Sequence, residues 1–336
     1  MIQENISLKK FNTFGIDVFA RYFMEVNTIA DIQNLMDDKI NGSRTRLVLG
    51  GGSNILFTRD FNGIVVKNKI SGIQLIQEDA ESYFLKVGAG ELWHTFVMYC
   101  VENNYGGVEN LSLIPGSVGA APIQNIGAYG VEQKEVFYEL EAVSLEENKV
   151  VTITKDECKF GYRDSIFKKE AKDKFIITSV TFKLFKKWIP NSSYGAINME
   201  LEKMGIKDVS LQAISQAVCN IRRSKLPDPE KIGNAGSFFK NPVVSNEKFV
   251  SLQGDFPSII AFKDVNGMKL AAGWLIEQCE WKGKSFGEYG VHKDQALVLV
   301  NYGGANGSEI YELSGEILES VHRKFGVRLE REVVIA

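Results

Sequence analysis

The run Asn234-Ala235-Gly236-Ser237-Phe238-Phe239-Lys240-Asn241-Pro242 sets a serine hydroxyl on a turn of small residues, followed by two aromatic side chains that exclude water. Ala235 and Gly236 leave room for a ligand at the backbone. Lys240 and Asn241 bring a cation and an amide to the same short segment. A hydroxyl so placed can pass a proton to a reacting carbon or orient a polar ligand. The same residues, read alone, also describe a glycine turn whose serine caps a backbone amide.

Two glycine loops offer a second chemistry. Leu47-Val48-Leu49 runs into Gly50-Gly51-Gly52-Ser53-Asn54, and Ile114 leads into Pro115-Gly116-Ser117-Val118-Gly119-Ala120-Ala121-Pro122. Backbone amides converge on an anion where no Cβ intervenes. A dinucleotide loop of the Rossmann kind must open a helix from a GxGxxG pattern. Here the first loop passes into Ile55-Leu56-Phe57 and the second into Ala120-Ala121-Pro122, and no GxxxxGK[ST] is present. Two such loops in one strand-rich region suit a flavin dinucleotide lying extended across a sheet.

The elements that must hold these residues follow from pattern. Leu47–Leu49, Ile55–Phe57, Gly63–Val66 and Phe84–Gly88 read as strands between turns. Leu92–Asn103 reads as a helix with Leu92, Phe96, Val97 and Tyr99 or Cys100 on its apolar stripe. Ile114–Gly130, rich in small residues, is a functional loop. Leu140–Val143, Val150–Ile153 and Phe175–Val180 return to strands. The spacing of Leu211, Ile214, Val218 and Ile221 predicts a helix from about Ser210 to Arg223, stopped by Lys225-Leu226-Pro227-Asp228-Pro229, where a domain boundary is expected. Further helices are expected over Ala271–Cys279 and over Ser308–Phe325, the latter with a serine cap and Gly326 as its stop. An alternating strand is expected over Val327–Ile335. The class is α+β with more than one domain.

Bulk properties narrow the function. A net charge of -3, with lysine and arginine nowhere clustered beyond a pair, gives no field for nucleic acid. The start Met1-Ile2-Gln3-Glu4-Asn5 has neither the basic nor the apolar region of a secretory leader. No apolar run approaches the ~20 residues that span a bilayer. Cys100, Cys158, Cys219 and Cys279 form no CxxC pair, and His94, His292 and His322 are the only histidines, so no metal site and a reducing, cytoplasmic setting are expected.

Four strings occur in one order: Leu47 to Leu56; Ile114 to Gly130, including Gln124-Asn125-Ile126-Gly127-Ala128-Tyr129; Gly161-Tyr162-Arg163-Asp164-Ser165; and Ala235 to Pro242. Together they resemble the UDP-N-acetylenolpyruvoylglucosamine reductase family, the FAD enzymes that complete UDP-N-acetylmuramate for peptidoglycan. The resemblance runs from Asn12-Thr13-Phe14-Gly15 to the C-terminal strand. It implies an FAD-binding region of the vanillyl-alcohol oxidase (PCMH) type in two subdomains, residues 1–66 and 67–218. A separate substrate-binding α+β domain would span 219–320, and 321–336 would return to the active site. FAD would lie against Gly50, Gly51, Gly52, Ser53, Asn54, Pro115, Gly116, Ser117, Gly119, Ala120, Ile126 and Gly127. No histidine or cysteine lies between Gly50 and Gly63 or between Leu111 and Gly130, so non-covalent FAD is expected.

The resemblance also implies that NADPH reduces the flavin and that the enolpyruvyl sugar nucleotide then accepts hydride at its vinyl carbon. Ser237 matches the proton donor, and Arg163 with Glu332 matches the pair that holds and polarises the carboxylate. A planar guanidinium suits a carboxylate bidentately, although a local pair with Asp164 is the alternative for Arg163. Glu330 and Glu332 fall on one face of an ideal strand, so alternation selects neither; only the family's terminal motif selects Glu332. Lys225 matches a diphosphate-binding lysine, and Tyr194 in Ser193-Tyr194-Gly195 matches a tyrosine on a loop that closes over the diphosphate. Asn241 and Gln295 match nucleotide contacts, and Tyr129 and Tyr162 complete the substrate set. A monomer is the default. The rivals are another flavin oxidoreductase of this fold acting on a hydroxy acid or sugar, and a non-catalytic UDP-sugar or flavin-sensing protein. The first has no reason to keep Lys225, Ser237 and Glu332 in these contexts, and the second no need of Arg163, Ser237 and Glu332 together.

Overall fold

The computed structural model describes residues 1–38, 43–192 and 194–336; Ser193 of the tyrosine motif lies outside them. The chain forms two compact units. The first comprises Met1–Ile6, Ala20–Gly51 and Asn62–Ser224, the second Ser7–Phe19, Gly52–Phe61 and Lys225–Ala336. One division falls between Ser224 and Lys225, and another falls inside the first glycine loop, between Gly51 and Gly52.

The first unit is built on an antiparallel five-stranded sheet in the order Lys149–Thr154, Phe137–Ser144, Phe175–Phe185, Ser82–Gly88, Ile73–Glu78. Phe175–Phe185 is central, and its buried run from Ile176 to Phe182 is what a strand covered on both faces requires. Helix α1 spans Ile29–Asp37 and opens on a Thr28/Asp31 capping box. Helix α2, Trp93–Glu102, lies on the sheet through Trp93 and Phe96, whose rings sit 5.8 and 4.7 Å from Phe182. Burying each of these side chains contributes about 2 kcal/mol. Phe96, Val97 and Cys100 are buried as the stripe predicts, but Leu92 is 59% exposed. It precedes the helix in extended backbone and pairs with Ser117, so Trp93 takes the core position instead.

A second sheet orders Gln3–Ser7, Phe19–Val26, Phe61–Asn68 and Arg46–Leu49, the last two parallel. Its inner face shares a core with α1 and with Val143 and Ile176 of the first sheet. Helices α3 (Gly195–Lys203) and α4 (Leu211–Lys225) pack on each other through Ile197, Leu201, Ile214, Val218 and Ile221. The expected stripe of α4 is therefore its buried face.

The second unit pairs Gly233–Ser237 with Val298–Asn301 and that strand with Tyr289–Val291, all antiparallel. A smaller sheet orders Val243–Val244, Gly267–Leu270 and Ala261–Asp264. Helices α5 (Asn246–Asp255), α6 (Ala272–Gln278) and α7 (Gly307–Phe325) complete it. Helix α7 buries Ile310, Leu313, Ile317 and Val321 and stops at Gly326, whose φ of 61° is left-handed. Its cap is Asn306, not the expected serine: the Asn306 side chain accepts from the Ser308 N–H while Glu309 closes a capping box. The expected C-terminal strand is also shorter. Only Val334–Ile335 is a strand, parallel to Ile55–Leu56, and Arg331 forms a single antiparallel bridge to Phe239. Among the described residues no helix is long and apolar enough to cross a membrane, and no group of three His, Cys, Asp or Glu can hold a metal.

Candidate active site

In the first unit the two glycine loops touch. A Cβ on Gly50 would meet Ser117 Oγ at 2.1 Å, and one on Gly51 would meet Gly116 Cα at 2.7 Å. Only glycine permits this approach. The second loop is anchored by Val118 N–H to the Glu91 carbonyl and Gly119 N–H to the Ala89 carbonyl, both 2.9 Å, and by Trp93 N–H to the Gly116 carbonyl at 3.0 Å. A Cβ on Gly119 would meet Ala89 Cβ at 2.5 Å. Lys67, which pattern reading passed over, hydrogen-bonds the Gly50 carbonyl. Burial pulls its ammonium below the ordinary value, Lys69 adds to this and Glu25 opposes it. Among the described residues the N–H groups of Gly51, Gly52 and Ser53 donate to no backbone carbonyl. Unspent backbone donors on a glycine-rich loop are what a dinucleotide phosphate requires, so the residues fit FAD. In the same loop region Pro115 and Ala120 are exposed, and Ile126 and Gly127 are half-buried.

The Gly161–Ser165 motif folds as a tight turn, with Gly161 and Asp164 exchanging backbone hydrogen bonds of 3.0 and 3.3 Å. Three contacts fasten it to the second glycine loop. Asn125 Nδ2 donates to the Gly161 carbonyl at 2.9 Å, Ser165 Oγ to the Ile123 carbonyl at 2.6 Å, and Arg163 Nη2 to the Gly127 carbonyl at 2.7 Å. Arg163 itself holds a left-handed φ of 53°, uncommon for a non-glycine residue and a mark of a constrained site. Its neighbour Asp164 pairs with Lys169 and accepts from the Ser165 N–H. The Arg163 guanidinium also lies 5.7 Å from the Tyr162 ring.

Tyr129 ends the second glycine loop, again left-handed at φ 50°. Its ring meets that of Tyr194, the residue before α3, edge-on at 5.4 Å. Burial raises the Tyr129 phenol above its ordinary value, and the charge of Arg222 opposes the rise. Two residues here were missed in the sequence. Arg222 sits on α4, four residues after the buried Val218, at the edge of the apolar stripe; a cation at a stripe edge was the signal available. Asn110 is fully buried, and its Nδ2 lies 3.3 Å from the Tyr129 carbonyl and 2.8 Å from the Asn191 carbonyl.

In the second unit Ser237 ends the strand Gly233–Ser237 after a register break. Gly236 takes φ 68°, and its N–H donates to Asn234 Oδ1 at 2.9 Å. Thr13 Oγ1 donates to the Asn234 carbonyl at 2.6 Å, so Asn234 is itself pinned. The turn is therefore capped by Asn234 rather than by the serine, and among the described residues the Ser237 hydroxyl has no protein partner. Phe238 and Phe239 are each 1% exposed with rings 5.3 Å apart, which keeps water from one side of the turn. Lys240 Nζ is 3.1 Å from Glu330, committing that cation to an ion pair.

The C-terminal segment runs antiparallel to this turn. Lys240 N–H donates to the Glu330 carbonyl at 2.9 Å and Glu332 N–H to the Phe238 carbonyl at 2.8 Å. Glu330 is exposed and Glu332 half-buried, because the in–out alternation of Val327 to Glu330 breaks at Arg331 and Glu332. Asn54 of the first glycine loop reaches the same segment: its carbonyl accepts from the Val334 N–H at 3.1 Å and its Nδ2 lies 3.4 Å from the Glu332 carbonyl. Asn241 Oδ1 accepts from the Ala272 N–H at 2.9 Å, and Gln295 Oε1 stands 3.6 Å from a Cβ placed on Gly273, so both gather at the start of α6. Lys225 is the exposed last residue of α4. The structure thus assembles Arg163, Tyr162, Tyr129 and Tyr194 in one unit and Ser237, Glu332, Asn241 and Gln295 in the other.

Comparison with known proteins finds two family patterns in the chain. The pattern described as FAD binding domain matches residues 20–154. That described as UDP-N-acetylenolpyruvoylglucosamine reductase, C-terminal domain, matches residues 228–336. A UDP-N-acetylenolpyruvoylglucosamine reductase of Flavobacterium johnsoniae is 48% identical over 99% of this chain and 98% of its own. One of Paraburkholderia phymatum is 48% identical over 97% and 95%. The crystal structure of the UDP-N-acetylenolpyruvylglucosamine reductase of Thermus caldophilus superposes with a TM-score of 0.68 at 22% identity, covering 100% of this chain and 99% of that one, and shares its fold. With near-complete coverage at this level of identity, the chain belongs to the UDP-N-acetylenolpyruvoylglucosamine reductase family.

Proposed function

We propose that in this chain Ser237 protonates the substrate carbon while Arg163 and Glu332 hold the substrate carboxylate. The chain is an FAD-containing oxidoreductase that reduces UDP-N-acetylglucosamine enolpyruvate to UDP-N-acetylmuramate, with NADPH as reductant, for peptidoglycan precursor synthesis. Bound FAD supplies the hydride transfer from NADPH to the vinyl carbon. Hydride addition leaves an electron pair on the neighbouring carbon beside the carboxylate, and the protein's own residues must stabilise and then quench it. Arg163 stabilises that charge through its forked donors. Glu332 polarises the carboxylate with it. The Ser237 hydroxyl then delivers the proton that completes addition of two hydrogens across the double bond. Lys225 and Tyr194 bind the diphosphate, Asn241 and Gln295 the nucleotide, and Tyr129 and Tyr162 line the substrate.

The single observation that carries the proton-donor role is the turn at Ser237, where Asn234 takes over the capping and leaves the hydroxyl unengaged beside two buried phenylalanines. FAD is held without a covalent bond by Gly50, Gly51, Gly52, Ser53, Asn54, Pro115, Gly116, Ser117, Gly119, Ala120, Ile126 and Gly127. Residues 1–66 and 67–218 serve the cofactor, 219–320 the substrate, and 321–336 returns Glu332 to the reaction. The protein acts as a cytoplasmic monomer. Anaerobic absorbance spectroscopy tests the reading: NADPH should bleach the flavin and the enolpyruvyl substrate should restore it. Bleaching without recovery would mean a different acceptor.

A further inference from the structure

The Gly161–Ser165 turn and the second glycine loop are each closed by their own backbone pairing. Gly161 pairs with Asp164 in the turn, and Gly127 and Ala128 pair with Glu132 and Val131 in the hairpin that ends the loop. Among the described residues no backbone hydrogen bond joins turn to loop. Side chains make the join, and Asn125 stands at its centre. It is fully buried and holds a left-handed φ of 45°. Its Nδ2 donates to the Gly161 carbonyl at 2.9 Å and to Glu132 Oε2 at 3.0 Å, and its Oδ1 accepts from the Lys134 N–H at 3.2 Å. Both donors and the acceptor are thus engaged, on the first residue of the turn and on the chain returning from the hairpin. Ser165 Oγ, donating to the Ile123 carbonyl at 2.6 Å, holds the far end of the same turn. Between these two fastenings stands Arg163, whose Nη2 donates at 2.7 Å to the carbonyl of Gly127, two residues after Asn125.

We propose that Asn125 is a positioning residue that seats the entry of the Gly161–Ser165 turn on the glycine loop and so sets where Arg163 presents its guanidinium to the substrate carboxylate. An asparagine suits the place on two counts. It is among the residues that tolerate left-handed backbone, and its amide supplies two donors and an acceptor from one short planar group. Aspartate matches its shape and tolerates the same backbone, yet has no N–H to give. It would take this donor from the Gly161 carbonyl and set a second carboxylate against Glu132, which Lys134 Nζ pairs at 2.6 Å. A guanidinium moved off its place keeps its charge and loses the alignment that two parallel N–H···O bonds need.

This inference rests on the carboxylate role proposed for Arg163, and the test separates the two. Holoenzymes of wild type, Asn125→Asp, Asn125→Gly, Arg163→Lys and the Asn125→Asp/Arg163→Lys double variant are titrated with two ligands by calorimetry. UDP-N-acetylmuramate carries the carboxylate; UDP-N-acetylglucosamine has the same nucleotide and sugar without it. Asn125→Asp and Asn125→Gly should each bind UDP-N-acetylmuramate about tenfold more weakly, the loss typical of a residue that supports a binding group. Affinity for UDP-N-acetylglucosamine should stay within about twofold of wild type, as for a ligand that shares no partner with the altered residue. A general loosening of the site would weaken both ligands alike. The double variant should lose no more than Arg163→Lys alone, because Asn125 acts through the guanidinium. Equal loss of both ligands, or losses that multiply in the double variant, would overturn the inference. Glycine takes left-handed backbone freely, so Asn125→Gly decides the matter should Asn125→Asp not fold. Full affinity for UDP-N-acetylmuramate in Arg163→Lys would defeat the functional reading and the inference with it. Loss in Arg163→Lys with none in Asn125→Asp would defeat the positioning role alone.

Discussion

The N–H of Glu332 donates to the carbonyl of Phe238 at 2.8 Å, tying the C-terminal segment to the residue that follows Ser237. Two residues earlier, Glu330 turns outward to pair with Lys240. The two glutamates that an ideal strand would put on one face thus have separate surroundings. Glu330→Gln should cost no more than about 1 kcal/mol of stability, as exposed ion pairs do, and leave turnover unchanged. Glu332→Gln should keep flavin reduction and lower the rate of reoxidation by the enolpyruvyl substrate about a hundredfold, the scale of a lost polarising group. Stopped-flow measurement of the two half-reactions in both variants checks this, and the reverse ranking would reject the assignment.

Ser237→Ala removes a hydroxyl without altering the Asn234 cap or the paired phenylalanines. NADPH should reduce its flavin at a rate near that of wild type, while reoxidation by substrate should slow by about 10²–10⁴-fold, the range for a removed general acid. Equal slowing of both half-reactions would take the proton-donor role away from this serine.

At Arg163 the fork matters as well as the charge. Nη2 donates to the Gly127 carbonyl at 2.7 Å, so the same planar group both holds the loop and would hold the carboxylate. Arg163→Lys cannot serve both, and kcat/KM for the enolpyruvyl substrate should fall by about a hundredfold or more. Steady-state kinetics close to wild type would confine the residue to holding its own turn.

Gly51→Ala would drive a methyl to within 2.7 Å of Gly116 Cα, backbone against backbone. Neither loop has a flexible side chain there to yield, so the loops must separate. FAD affinity, followed by flavin fluorescence, should drop at least about tenfold while far-ultraviolet circular dichroism stays that of the wild type, since the strand before the loop is untouched. Unchanged affinity would dissociate the loop contact from the cofactor.

His94 gives a pH signature. Burial lowers its imidazole below the ordinary value, and the Arg223 and Arg222 charges lower it further. Its Nδ1 accepts from the Leu113 N–H, which requires an unprotonated nitrogen. Since the unfolded chain titrates near pH ~6.5 and the folded chain lower, the unfolded state takes up the proton first. The contribution of neutral His94 is complete above about pH 6.5 and is lost as pH falls through the folded value. His94→Gln should lose less stability than wild type in urea titrations repeated from pH 7 to pH 5; parallel curves would argue against it.

The glycine loops, the serine turn and the Gly161–Ser165 turn were legible in the sequence because each is a contiguous string whose chemistry depends on neighbours along the chain. The same holds for α2, α4 and α7, whose apolar spacing marks the buried face before any partner is known. Local reading failed where two local signals compete. Ser308 looks like a cap, yet Asn306 two residues earlier accepts from the Ser308 N–H itself, which puts Ser308 inside the first turn. Leu92 looks like the first stripe residue, yet its backbone is extended and Trp93 fills the core.

What the sequence determined by itself is the inventory: a flavin loop without side chains, a serine on a small-residue turn, an arginine in a glycine-led turn, and the family they resemble. Only the tertiary structure decided which of those groups are engaged and by whom. Asn234 takes the cap and leaves Ser237 unengaged, Lys240 draws off Glu330, and the pairing with Phe238 holds Glu332 half-buried. Arg222 Nε reaches the Leu113 carbonyl, more than a hundred residues before it in the chain. Apart from the Asn234 cap, which is local, these outcomes are set by hydrogen bonds and an ion pair between residues far apart in sequence. Strand alternation and helical spacing report which face a side chain takes, and carry no term for the partner waiting there.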